Sequence, residues 1–426
     1  MKIFKYNKLY RVLITSNSLG LIGRTLFDIV FIIYANSFPN PTLAVSIVSV
    51  VTTIPYLFSF IIGYLADRTN YKVDAMLIIR ILQTILFLVF AVLADLTKDW
   101  IIFFFIILIN VISDFIGGYT SYLSLSINKY IVPNEDLSES IGFRNGVNYT
   151  ISLLGGFIGV GTIAVLNHHY LLFGFFNALF FLLSFLILFK NKNALVESMP
   201  STRMNTISGN FKLKNYLSKF LKDSVNNFKI LLENKEIFNF TIIFSSMNLI
   251  SSAMTSLLLI TYIQEEKLIF QSFGYTVALI ETFEIVAMII GSTIPLKMYK
   301  KKTIEFNLLC EILLFLIQVI NILLFKDKYF LLLTVFVSGY LNGVSNPRID
   351  TFLILGLPDD KQNSVLSIFG TLITLTVPVG SIVFIFIANF FSLQIAWFII
   401  LIVVSVLSIY SFSLYKNHQT IPESII

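Results

Sequence analysis

The chain has 426 residues, of which 56% are hydrophobic, 13% are charged and forty-three are Phe, more apolar surface than any soluble core needs. The net charge of +6 lies mostly in short connections, where it acts as a topology signal and gives no reason to expect nucleic acid. A helix needs about 20 mostly apolar residues to cross a hydrocarbon layer roughly 30 Å thick. In chain order the candidate spans are residues 11–36, 43–66, 74–95, 99–127, 139–166 and 169–190, followed after a polar gap by 237–264, 272–298, 304–325, 329–356, 362–390 and 393–415. Apolar residues occupy all sides of these segments, which argues against the alternation of barrel strands. The expected fold is therefore an all-α integral membrane protein with twelve transmembrane helices, because a helix satisfies its own backbone in lipid.

Twenty-two Lys and Arg fall on one side of this arrangement, and only Lys98, Lys267, Lys326 and Lys328 on the other. Positive charge is retained on the cytoplasmic side, so both termini are expected there, in a multi-pass protein of a bacterial plasma membrane. The N-terminal MKIFKYNKLYR is basic and has no small-residue cleavage site after it, so it reads as the start of a retained first span. The single Cys310 says nothing of redox compartment.

Residues 191–236 form the one long polar stretch and divide the chain into an N-terminal six-helix bundle, 1–190, and a C-terminal one, 237–426. Within the stretch Leu217, Phe220, Leu221, Val225, Phe228 and Leu232 follow a helical period, which predicts an amphipathic helix lying on the inner leaflet. A parallel repeat runs through the two halves. Pro133 and Pro358, like Gly155 and Gly380, are 225 residues apart, and the IIG triplets ending at Gly63 and Gly291 are 228 apart. Matches after the same numbered span suggest two pseudo-symmetric bundles.

The connection after span two reads GYLADRTNYK, from Gly63 to Lys72. It resembles the loop signature of the major facilitator superfamily, with Gly63, Leu65, Ala66, Asp67, Arg68 and Lys72 matching, while Asn70 stands for a Gly and Tyr71 for an Arg. Asn tolerates a left-handed turn better than most residues, so a turn of that kind is expected at Asn70. The resemblance implies the major facilitator fold and a gate latch, in which Asp67 faces the start of span eleven near Asn363 and Ser364 while Arg68 and Lys72 hold it and meet lipid headgroups. Within the superfamily, YIVPNEDLSESIGF, GVSNP and SIFGTLITLTVPVG are similar to segments of the macrolide-efflux-like, drug:proton antiporter group. Many of those relatives carry an Arg in span four, where this chain has Ser113 and Asp114.

Ionisable residues inside spans are costly and normally turn inward, so they mark the candidate coupling and substrate groups. Arg24 and Asp28 share a face of span one, either as an ion pair fixing the bundle or as a proton-exchanging couple. Asp114 has no basic partner in its own helix, which suits it to proton exchange, the alternative being a hydrogen-bonded structural acid. Glu281 and Glu284 are three apart and repel each other when both are charged, which suits the pair to cation attraction or proton exchange. The alternative is that one of them pairs with Arg348 or faces a hydrated cavity. Arg348 and Asp350 follow Pro347, a candidate hinge, and Glu311 is expected to snorkel or to pair with Arg348. Glu305, Arg80 and Arg144 read as structural. Tyr34, Tyr56, Tyr119, Tyr122, Tyr149 and Trp397 are candidates to line an apolar pocket.

No nucleotide-phosphate loop, metal site or cofactor motif is present, so an ion gradient is the expected energy source. The expectation is a monomeric transporter and not an enzyme, exporting amphipathic compounds such as macrolides in exchange for protons, with membrane lipids and a small amphipathic substrate as its partners. The alternatives are uptake of a nutrient, translocation of a lipid or lysolipid, and a membrane sensor that no longer transports.

Overall fold

The computed structural model describes residues 2–133, 136–199, 235–294, 296, 303–355 and 359–418. The predicted amphipathic helix around residues 217–232 lies outside them. The chain divides into two compact units, Met1–Gly209 and Asn210–Ile426.

The first unit contains α1 (Lys2–Tyr6), α2 (Lys8–Asn36), α3 (Pro41–Val51), α4 (Ile54–Leu57), α5 (Ser59–Arg68), α6 (Lys72–Asp95), α7 (Trp100–Ile131), α8 (Leu137–Val165), α9 (Tyr170–Lys190) and α10 (Lys192–Glu197). Polar caps set several starts. Asn7 accepts from the Tyr10 amide at 2.9 Å to open α2, Asn40 precedes Pro41 and accepts from the Leu43 amide, and Asp99 accepts from the Ile101 amide to open α7. The first residues are structural as well, since Ile3 is fully buried and Asn7 Nδ2 donates to the Ile131 carbonyl at 2.7 Å.

The second span departs from the continuous helix expected over 43–66. It is broken into α3, α4 and α5, with interruptions at Thr52–Thr53 and at Phe58. Pro55 removes an amide and crowds the preceding turn, and the Thr52 and Thr53 hydroxyls take up the Val48 and Val50 carbonyls at 3.1 and 2.7 Å.

The second unit contains α11 (Lys235–Gln264), α12 (Phe273–Thr293), α13 (Ile304–Ile320) with a π turn over Asn321–Phe325, α14 (Lys328–Leu355), α15 (Asp359–Phe390) and α16 (Leu393–His418). Ten helices among the described residues are long and apolar enough to cross a membrane. The broken α3–α5 and the more polar α14 complete the twelve of an all-α integral membrane fold. Apolar side chains on outer faces, such as Ile78, Ile85 and Val92 along one stripe of α6, stay exposed as lipid contact requires.

Both units pair their helices in the same order. In the first, α2 packs on α8, α3–α5 on α7, and α6 on α9; in the second, α11 packs on α15, α12 on α14, and α13 on α16. Glycines stand at equivalent crossings. Gly155 leaves room for Thr25 of α2, and Gly380 leaves room for the Leu249 carbonyl of α11. A Cβ added at Gly63 would stand 3.5 Å from the Tyr122 ring on α7, and one at Gly291 would overlap the Tyr340 carbonyl on α14. The core of the first unit is aromatic, with Phe87 stacked on Phe181 at 4.8 Å and meeting Phe27 edge-on at 4.8 Å.

Candidate functional site

In the second unit Glu281 and Glu284 line a cavity of about 70 Å³, with Thr255, Leu258 and Tyr262 from α11, Phe315 and Gln318 from α13, and Ser338 from α14. Both glutamates are exposed, so their surface opens into this space. Glycines fix them there. A Cβ on Gly339 would overlap the Glu284 carbonyl and one on Gly343 the Met288 carbonyl, so this Gly-x-x-x-Gly pair lets α14 approach the backbone that carries the acids.

A third carboxylate stands behind them. Glu311 is 3% exposed, and its Oε1 accepts from Asn342 Nδ2 at 3.3 Å, while Asn342 Oδ1 accepts from Asn346 Nδ2 at 2.6 Å. Glu284 acts electrostatically on Glu311, and Glu281 and Glu284 both act on Tyr262. No basic residue is among the described residues that line the cavity. Grouped acids without a cation are accommodated by bound protons or by a positively charged guest.

The first unit holds a cavity of the opposite sign. Asn17, Gly20, Arg24, Arg80, Gln83, Gly117, Ser121, Ser124, Arg144 and Asn148 surround about 230 Å³. Gly20 and Gly117 have no side chains to obstruct the Arg80 and Arg24 guanidinium groups, which lie against them. Arg80 is 4% exposed and bonds only neutral groups, Gln83 Oε1 at 2.8 Å and Asn17 Oδ1 at 3.4 Å. Asn17 is itself held by Ser124.

Arg24 also feels acids. It acts on Asp114, whose side chain hydrogen-bonds Asn110, and Tyr56 stands in the combined field of Arg24, Asp28 and Asp114. Asp114 therefore has a charge partner across helices, although its own helix supplies none. Neither aspartate lines the cavity.

Other expectations are redistributed. Glu311 neither snorkels nor pairs with Arg348, because it is sealed against Asn342, and the acid that acts on Arg348 is Glu305. α14 remains helical through Pro347, and the side chain of Asp350 lies outside those described. In the GYLADRTNYK loop, Lys72 is 8% exposed and donates to the Ala66 carbonyl at 2.7 Å, closing the end of α5 and not reaching toward headgroups. Asn70 is not left-handed; among the described residues only Asn167, His168 and Lys326 have positive φ. The side chains of Asp67, Arg68, Asn363 and Ser364 lie outside those described. Gly63 serves the contact with Tyr122.

None of the six aromatic candidates lines either cavity. Tyr34 and Trp397 are buried, Trp397 Nε1 donating to Thr261 at 3.1 Å, and Tyr119 bonds Thr69. Tyr262, Arg80 and Arg144 take the lining positions that sequence reading missed. Depth was the available signal for Arg80, which stands eight residues into α6, about 12 Å along the helix.

The family model described as Major Facilitator Superfamily matches residues 13–310. A POT family transporter in complex with a thioalcohol-conjugated peptide is similar over 97% of this chain and 96% of its own, at 14% identity and a TM-score of 0.71. The nucleoside transporter NupG is similar over 95% and 100%, at 13% identity and a TM-score of 0.66. A bacterial homolog of the human lysosomal transporter Spinster, inward-facing and unoccupied, is similar over 96% of both chains, at 11% identity and a TM-score of 0.64. Likeness at these identities is likeness of fold. A search of curated proteins gives no match.

Proposed function

This chain belongs to the Major Facilitator Superfamily, and from that premise we propose that it is a proton-coupled exporter of amphipathic, cationic organic compounds, working by alternating access in a bacterial plasma membrane with both termini cytoplasmic. It is a transporter and not an enzyme. The observation that carries the reading is the C-terminal cavity, where Glu281 and Glu284 stand among Leu258, Phe315 and Tyr262 with no basic residue among the described lining. Apolar walls beside acids suit a molecule with a greasy body and a positive end.

Exchange follows from sharing the same acids. A proton and a cationic substrate neutralise the same carboxylates, so occupancy by one disfavours the other, and each biases a different orientation of the carrier. The outward direction is supported by the likeness of the YIVPNEDLSESIGF, GVSNP and SIFGTLITLTVPVG segments to the macrolide-efflux-like group.

The test uses everted membrane vesicles with an acidified lumen and a fluorescent pH probe. Adding an amphipathic cation such as ethidium or tetraphenylphosphonium is expected to release protons from vesicles containing the protein, and from none carrying the E281Q/E284Q double variant. Folded protein with no proton release across a panel of such cations would overturn the reading.

A further inference from the structure

We infer that the arginine-lined cavity of the N-terminal unit binds an oxyanion group, a carboxylate or a phosphate. This binding goes beyond the carrier reading above and does not depend on it.

Three guanidinium groups, Arg24, Arg80 and Arg144, border one cavity with no acid among its described lining residues. Arg24 and Arg80 are close enough to act on each other electrostatically. Like charges brought together inside a membrane unit are unfavourable unless something negative joins them. Of the nearby described acids, Asp114 stands in the field of Arg24, and Asp28 acts with both of them on Tyr56. Even with both acids ionised, three arginines against two aspartates leave a positive excess among the described residues.

Arg80 shows the deficit most clearly. It is nearly sealed, its two bonded nitrogens meet neutral amides, and its Nε has no hydrogen-bond partner among the described residues. The Nε of Arg144 is also buried without one. An arginine placed only to brace helices is matched by an acid, as Arg348 is by the buried Glu305 in the C-terminal unit. A topology signal belongs in an exposed connection, and Arg80 is inside.

The cavity is also built to admit a guest. Its 230 Å³ is several times the roughly 30 Å³ that a water takes in the liquid. Gly20 and Gly117 clear the space for two guanidinium groups, whose planar forks suit a carboxylate or a phosphate. Ser121 and Asn148 border the same space and add neutral donors for the remaining oxygens.

The test measures thermal unfolding of the purified full-length chain in neutral detergent while titrating sodium benzoate, inorganic phosphate or lysophosphatidylglycerol. Tetramethylammonium chloride at equal ionic strength is the control. A saturable upward shift is expected with at least one oxyanion, weakened about tenfold or more in R144Q and in R80Q, as loss of a charge-assisted bond implies. K129Q, a charge removed at the exposed end of α7, should keep the response.

Response to benzoate or phosphate assigns the oxyanion to a soluble solute. Response confined to lysophosphatidylglycerol, and still arginine-dependent, assigns it to a lipid headgroup. Absence of a saturable shift with all three probes overturns the inference, as does a shift that R144Q leaves unchanged. If R80Q does not fold, R144Q decides alone, since that side chain is only half-buried. Proton release in vesicles is a separate readout, so either proposal can fail without the other.

Discussion

Glu311 is a carboxylate with one neutral donor in an apolar helix packing, and its dependence on Asn342 is measurable. Removing that donor leaves a buried acid without its bond, so N342A should destabilise the protein by about 1–3 kcal/mol in thermal unfolding. E311Q keeps an acceptor oxygen of the same shape and removes the ionisable group, so it should unfold within about 1 kcal/mol of the parent. If E311Q proves the more damaging of the two, the Asn342 bond is not what holds this acid. Charged residues were legible in the sequence because they are rare within spans, which is how Glu281, Glu284 and Glu311 came to notice. Which faces meet was not legible. Tyr262, Arg80 and Arg144 acquire their places from neighbours on other helices, and a period of 3.6 residues within one helix does not say which neighbour it turns toward.

The helix crossing of α12 and α14 is set by atoms that cannot yield. At Gly343 a new Cβ would run into the backbone oxygen of Met288, and at Gly339 into that of Glu284, so the helices must separate to accept it. G343A is therefore expected to lower stability by about 1–3 kcal/mol and to displace the segment that carries Glu284, impairing transport as well. Gly161 of α8 has nothing within 4 Å of the same added atom, and G161A should be neutral or stabilising by up to about 1 kcal/mol through helix propensity. Equal unfolding temperatures for the two variants would refute this account of the crossing. The existence of the helices could be read from hydropathy, but the break in the second span could not. Its apolar run passes through Thr52, Thr53 and Pro55 without a change of composition, and the interruption follows from a missing amide and two hydroxyls that bond backward to carbonyls.

At the scale of the molecule, the duplication visible as matched glycines reappears as matched helix pairings, while the charges of the two units diverge. Among the described lining residues, the N-terminal cavity has arginines and no acid, and the C-terminal cavity has Glu281 and Glu284 and no base. Divergence of this kind was hidden from a reading that treated Arg80 and Arg144 as structural. On the reading proposed above, proton and cationic substrate compete at the acids of the C-terminal unit, while the arginine-lined cavity of the N-terminal unit is suited to a negative group. An exchanger moves a solute uphill because the unloaded carrier returns only with protons bound. Glutamine imitates a carboxyl group that is permanently uncharged, so the E281Q/E284Q carrier should return with or without a gradient. Reconstituted into liposomes, it is expected to catalyse counterflow of a labelled amphipathic cation, with weaker substrate affinity from the lost charge, yet to accumulate none when a pH gradient is imposed. Gradient-driven accumulation surviving in this double variant would place coupling in the N-terminal unit instead, at Asp28 or at Asp114, the latter lying in the field of Arg24, which lines the cavity.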